Sequence, residues 1–241
     1  DMGVKRIVVA REISLKDVME IKKHLPDMEI EIFVHGSMCF AYSGRCLISA
    51  VQMGRVPNRG SCANDCRFEY TLYAGNDEHG SLFRLEEEPG VGTYIFNSKD
   101  MNLASHIQEI LDSGAVDSLK IEGRTKSPYY AAVTAKAYRE AIDDYYAGKF
   151  EPEKYQKELH TTKNRGFTDA YLIHKPFEKT DSQNHDYALS KGSYEVTGLV
   201  TEDEHHFLCK YKVYPNEDIE IFTPHNTVLD TCENEIGKVL K

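Results

Sequence analysis

The chain has 241 residues, 41% of them hydrophobic, enough for one large folded unit or a medium and a small one. With 29 Lys and Arg against 39 Asp and Glu the formal charge is −10, which excludes a uniformly basic, nucleic-acid-coated surface but leaves room for a local basic groove. No apolar run approaches the roughly 20 residues of a membrane span, no apolar signal region follows the first charges, and six cysteines are too few for a disulfide scaffold, so no membrane contact and a reducing, cytoplasmic setting are expected.

Arg6-Ile7-Val8-Val9-Ala10 predicts a strand. Ser14, with Asp17 three positions on, predicts a capped helix whose stripe is Val18, Ile21 and Leu25, stopped by Pro26. Glu29 to Val34 alternates acidic and apolar residues like a second strand, followed by a Cys-rich insertion (37–75) instead of a simple helix. Residues 92–96 predict a third strand leading into Leu103, Ile107, Ile110 and Leu111, and Ser118-Leu119-Lys120-Ile121 a fourth. Ser127 and Pro128 open a long helix with Tyr130, Val133, Ala137, Tyr138, Ala141, Ile142 and Tyr145 on its apolar face, closed by Gly148.

Strands alternating with helices imply parallel strands joined by helical crossovers. A complete (β/α)8 barrel takes about 250 residues, and four units give half of its strands. The α/β part is therefore either a small open sheet or the later half of a (β/α)8-type barrel, and a start directly on a strand favours the half barrel. Residues 1–177 form this part, 178–191 are a polar, patternless linker, and 192–241 switch to period two. Tyr194 to Val200, His206 to Val213 and Asp218 to Phe222 read as short strands of a small antiparallel β barrel or sandwich that ends soon after Cys232. From Glu178 onward the net charge is −7, leaving −3 for the rest. Half a barrel would expose apolar strand edges, so self-association is also expected.

Cys39, Cys46, Cys62 and Cys66 are spaced Cys-x6-Cys-x15-Cys-x3-Cys among turn formers and the cations Arg45, Arg55, Arg59 and Arg67. Four thiols in one loop-like stretch point to metal binding rather than core packing. Structural zinc sites carry two tight Cys pairs and only Cys62/Cys66 is tight here, so an iron–sulfur cluster is preferred and zinc is the alternative. Cys209 and Cys232 read as ordinary thiols of the tail module.

Glu31-x-Phe33-x-x-Gly36-Ser37-Met38-Cys39-x4-Gly44-x-Cys46-x-Ile48-Ser49 resembles the signature of the collagenase-like peptidase family U-thirty-two. The likeness extends through Arg11-Glu12, Asn58-Arg59-Gly60, Cys66-Arg67, Ser98-Lys99-Asp100, Lys120 to Arg124 and Arg165-Gly166-Phe167-Thr168. It implies an α/β barrel with a small appended β barrel. It also implies a divided set of activities: collagenase-like peptide hydrolysis, oxygen-independent quinone hydroxylation, or RNA modification, notably prephenate-dependent hydroxylation of the tRNA wobble uridine. The hydroxylating members use a four-iron [4Fe–4S] cluster, for which Cys39, Cys46, Cys62 and Cys66 match the usual cysteine block.

In parallel α/β barrels the active site forms where strands end and loops begin. Arg11-Glu12, His35-Gly36, Lys99-Asp100 and Glu122-Gly123-Arg124 follow the four predicted strands and so share one rim. Glu12, His35 and Glu122 are the candidate acid/base residues, and Arg11, Arg124 and Lys126 suit an anionic substrate such as a phosphate or small carboxylate cosubstrate. The same Arg and Glu side chains can also simply pair to hold the loops, and a lone histidine such as His35 also serves as a structural hydrogen bonder. No His-Glu-x-x-His or Gly-x-Ser-x-Gly motif supports a peptidase, whereas the basic, Tyr-rich run from Lys120 to Arg139 suits tRNA, although Tyr130 and Tyr138 fall on the apolar face. RNA modification is the leading expectation and peptidase the alternative.

Overall fold

The computed structural model describes residues 3–39, 41–43, 45–68, 70–76, 81–85, 98–124, 126–173, 182–184, 190–194, 196–202, 206–214, 218–223 and 227–231. The order is β1 (Arg6–Val8), α1 (Leu15–His24), β2 (Glu29–Ser37), α2 (Ile48–Met53), β3 (Leu72–Asn76), β4 (Ser81–Leu85), β5 (Asp100–Asn102), α3 (Ile107–Asp112), β6 (Ser118–Ile121), α4 (Pro128–Tyr146), α5 (Pro152–Leu159), β7 (Phe167–Thr168), β8 (Gly198–Val200), β9 (Phe207–Cys209), β10 (Asp218–Phe222) and β11 (Thr227–Thr231).

β2 is the axis of the main sheet. Ile30, Ile32 and Val34 alternate into the interior and are buried; each contributes about 1.5–3 kcal/mol by leaving water. β1 pairs parallel with β2, Arg6 opposite Glu29, and β6 pairs parallel with it, Glu31 opposite Ser118, with an irregularity between Phe33 and His35. β5 lies antiparallel to the far end of β2, Ser37 opposite Asp100, and β7 continues beyond β5 in parallel.

The helices cover this sheet for reasons visible in their sequences. Ser14 and Asp17 exchange side-chain and backbone hydrogen bonds in a capping box, and Lys22, Lys23 and His24 sit at the negative end of α1. In α4 the Ser127 hydroxyl accepts from the Tyr130 N–H and Pro128 occupies the first turn. Tyr130, Val133, Ala137, Tyr138 and Ala141 form its buried face. The Tyr138 hydroxyl donates to the Val34 carbonyl (2.7 Å) and accepts from the Leu103 N–H (3.0 Å), which pins α4 to the sheet. Tyr155 and Leu159 of α5 and Ile107 and Ile110 of α3 complete the core.

The α/β class and its parallel pairs agree with the sequence reading. Several details were not legible in the sequence. The predicted third strand, 92–96, lies outside the described residues, and the strand found next to β2 is β5, which is antiparallel. The connection from β2 to β5 carries the Cys-rich insertion and then the β3–β4 hairpin; with no long helical crossover among its described residues, nothing there enforces the parallel direction. The strands make an open sheet, with no closed barrel among the described residues. In the tail, β8 pairs with β9 and β10 with β11 as separate antiparallel hairpins. Within the predicted linker, Gln183 bridges Ser98 and Lys191 bridges Asn164, so its described residues lie against the α/β part. Cys232 lies outside the described residues.

Candidate active-site rim and cysteine cluster

The open end of β2 gathers polar residues around a buried ion pair. Asp100 and Arg165 are both buried and in direct contact, and the Arg165 N–H also donates to the Asp100 carboxylate (3.3 Å). Lys126 Nζ lies 3.8 Å from the same carboxylate. Burial pushes the Asp100 carboxyl up to about 6 against the pull of Lys126 and Arg67, so it is ionised at neutral pH and able to hold its cations. Asn184 anchors the Arg165 carbonyl (2.7 Å), while Arg165 Nε is buried with no described partner.

His35 lies close enough to Lys126 to feel its charge. It is buried among the rings of Tyr130, Tyr138 and Phe167, with centroids 5.5–5.7 Å away. Burial, and then the positive Lys126, push its imidazole down to about 3, so it is neutral across the physiological range. Nδ1 lies 3.4 Å from the Tyr138 hydroxyl, and Nε2 is buried with no described partner. Glu122 follows β6: its N–H donates to the His35 carbonyl (2.9 Å), its carboxylate accepts from the Ser37 N–H (3.4 Å) and its carbonyl from the Tyr130 hydroxyl (3.1 Å). Gly36 permits this approach. Its φ is +132°, and a Cβ there would meet the Glu122 carbonyl oxygen at 2.7 Å.

Arg11 lies with its guanidinium 3.8 Å over the Phe33 ring, desolvated but drawn by the charges of Glu122, Cys39 and Glu12. Glu12 accepts from the Ser43 N–H (2.8 Å), which ties the rim to the insertion, and its second oxygen is buried without a described partner. Arg124 is exposed and faces Gly60 of the insertion: a Cβ on Gly60 would lie 3.8 Å from its guanidinium. The structure thus brings Arg11, Glu12, His35, Glu122 and Lys126 to one rim and leaves Arg124 at its outer edge. Sequence reasoning put Asp100 on this rim without a role and gave none to Arg165; their pairing across 65 residues leaves no local periodicity to find.

Above the rim the four insertion cysteines influence one another. Desolvation first, then the other thiols, raise Cys39 and Cys66, with Cys46 and Cys62 acting on both. Donors point at the sulfurs: the Asn64 N–H reaches Cys62 Sγ at 3.3 Å, the Ala41 backbone serves Cys39, and the Arg67 side chain serves Cys66 while also donating to the Met38 carbonyl (3.2 Å). Asp65, beside Cys66, is buried and neither carboxylate oxygen has a described hydrogen-bond partner. Among the described residues no three His, Cys, Asp or Glu side chains are arranged to hold a metal ion. The donor set of four thiols with N–H groups and an arginine directed at sulfur nevertheless has the chemistry that a soft metal centre requires.

These features define an α/β protein whose polar groups converge on one sheet rim beneath a cysteine-rich insertion. Residues 1–182 match the model of Peptidase family U32, and the chain belongs to that family. It is 60% identical over 239 residues to "tRNA hydroxylation protein P" of Helicobacter pylori, covering 99% of this chain and 57% of that protein. It is 37% identical over 284 residues to the Escherichia coli protein of the same name, covering 99% of this chain and 62% of the relative. It is 32% identical over 180 residues to a "Collagenase" of Porphyromonas gingivalis, covering 69% of this chain and 42% of the relative. The chain thus spans about three fifths of the tRNA hydroxylation proteins it matches. No solved structure matches it.

Proposed function

We propose that this chain is part of an iron–sulfur RNA-modifying enzyme that hydroxylates the wobble uridine of tRNA with the help of a small carboxylate cosubstrate, prephenate being the one the family resemblance implies. The observation that carries this reading is the 60% identity to a tRNA hydroxylation protein along 99% of the chain. Cys39, Cys46, Cys62 and Cys66 would hold a [4Fe–4S] cluster, zinc being the alternative occupant, and such a cluster supplies one-electron transfer when bound. Lys126, beside the buried Asp100–Arg165 pair, presents a cation to a carboxylate at the rim, with Arg11 and Arg124 further out. Neutral His35 keeps its orphaned Nε2 as a hydrogen-bonding group at the rim, and Glu12 and Glu122 stay close to the Arg11 charge. The same reading puts the enzyme in the reducing cytoplasm and gives the open sheet a second copy, or the rest of the protein, as a neighbour. Among the described residues no helix is long and apolar enough to cross a membrane.

The test is deletion of the gene followed by mass spectrometry of tRNA. Loss of hydroxylated wobble uridine, restored by the wild-type gene and not by Cys39→Ser, is expected; unchanged levels in a strain without a paralogue sink the reading. The alternative is a peptidase, favoured by the collagenase relative. Its chemistry is poorly served here. Raised thiols such as Cys39 are the reverse of an activated nucleophile, and the hydroxyl within hydrogen-bond distance of the His35 ring among the described residues is the phenol of Tyr138, not a serine or cysteine. Gelatin cleavage by the purified protein, abolished by Glu122→Ala, would establish it.

A further inference from the structure

The outer face of the cysteine-rich insertion is both apolar and cationic. Tyr42, Phe68 and Tyr73 are 66%, 51% and 58% exposed, and Arg45, Arg55 and Arg59 of the same insertion are exposed as well. None of these arginines forms an ion pair with a described carboxylate. From residue 37 to 75 the charge is +2, in a chain of −10; its two acidic residues are Asp65, which is buried, and Glu69. Leu47 and Val51 of the α2 region also face solvent, so the outward side of this element has no partner within the described residues.

We infer that this face binds single-stranded RNA, a tRNA loop, and delivers it to the rim; the inference rests on the RNA-modifying reading and locates the surface that serves it. Charge complementarity selects the occupant. Exposed rings together with exposed arginines on one insertion suit splayed bases and their phosphates, because every base has a stacking face and guanidinium both stacks and pairs with phosphate. A protein partner would be matched by an apolar centre depleted of charge, not by an element carrying three exposed arginines that pair with no described carboxylate. The face is also continuous with the candidate site. Arg59-Gly60 lies against Arg124, and Glu12 grips the Ser43 N–H, so a strand lying on the arginines leads over Arg124 toward Lys126 and Asp100.

The experiment uses the full-length protein, prepared anaerobically, and a fluorescent tRNA anticodon stem-loop titrated by anisotropy at several salt concentrations. The triple variant Arg45→Gln, Arg55→Gln, Arg59→Gln should bind at least tenfold more weakly, with a salt slope flatter by about 2, from about 0.7 per lost single-strand phosphate contact. Phe68→Leu and Tyr42→Leu should each weaken binding about tenfold with the slope unchanged, because stacking is uncharged. The triple Arg→Lys variant should keep the slope. Circular dichroism and iron content verify that the variants are intact; if the triple Gln variant unfolds, Arg55→Gln alone, with a slope loss of about 0.7, decides. Unchanged affinity and slope overturn the inference, as does unchanged RNA binding coupled to dissociation of a self-associated protein in sedimentation, which would make the face a protein interface. Because gene deletion reads tRNA hydroxylation directly, its loss together with normal binding by these variants overturns only the location, whereas intact hydroxylation overturns the functional reading itself.

Discussion

Asp100 and Arg165 illustrate what a buried charge demands of its neighbours. Both are desolvated, and each is tolerable only because the other is present, with Lys126 as a further cation. Removing one partner strands the other, so Asp100→Asn is expected to cost about 3–5 kcal/mol in urea unfolding, and the double variant Asp100→Asn, Arg165→Met to recover most of it. His35 makes a different prediction. Its ordinary value of 6.5 falls to about 3 in the fold, so the unfolded chain binds a proton that the native chain refuses. Stability therefore falls as pH drops from 6.5 toward 3, by up to about 1.4 kcal/mol per pH unit. Asp100, raised from 3.8 to about 6, acts oppositely because the native chain holds that proton more tightly. Comparison with His35→Leu isolates the imidazole: the stability of the wild type relative to the variant should shrink by about 2 kcal/mol between pH 7 and pH 5. A difference constant across that range would mean that His35 protonates inside the fold. The sequence placed His35 on the rim but could not show its burial, because the three rings around it come from two distant segments.

At the scale of elements, locally encoded features were legible. The Ser14–Asp17 box, the Ser127–Pro128 start and the alternating Ile30, Ile32 and Val34 all act through neighbours within a few residues, and each appears where its pattern predicts. The β3–β4 hairpin escaped notice because it lies inside a stretch read for its cysteines, and the direction of β5 is set by a pairing 65 residues away from its neighbour's register. Gly36 joins the two kinds of feature. It is part of the family signature, and the structure supplies the reason: positive φ with the Glu122 backbone against its Cα. Gly36→Ala should cost on the order of 1–3 kcal/mol from backbone strain alone, more with the clash. Because the displaced partner is Glu122, activity should fall more than thermal stability predicts. Thermal unfolding beside tRNA hydroxylation measures both, and a variant that keeps full stability and activity would remove Gly36 from any role at the rim.

For the whole molecule, hydrophobic periodicity correctly gave an α/β sheet packed by helices, but it could not give closure, which depends on how the last strands find the first. The described strands leave β1, β6 and β7 each paired on one side, and Val8 on β1 is 44% exposed. Unpaired strand edges offer rows of N–H and C=O groups to another chain, and a charge placed on such an edge opposes the pairing. Arg6 supplies a charge at the start of β1, but it is already engaged by Glu29 and Glu31, so the edge is weakly guarded. The 241-residue segment expressed alone should therefore associate as its concentration rises, and Val8→Lys should shift it toward the monomer without loss of helical circular dichroism. Sedimentation velocity over a hundredfold concentration range distinguishes the cases: a segment that stays monomeric throughout, with Val8→Lys indistinguishable from it, would mean that the edges are covered by the chain's own residues.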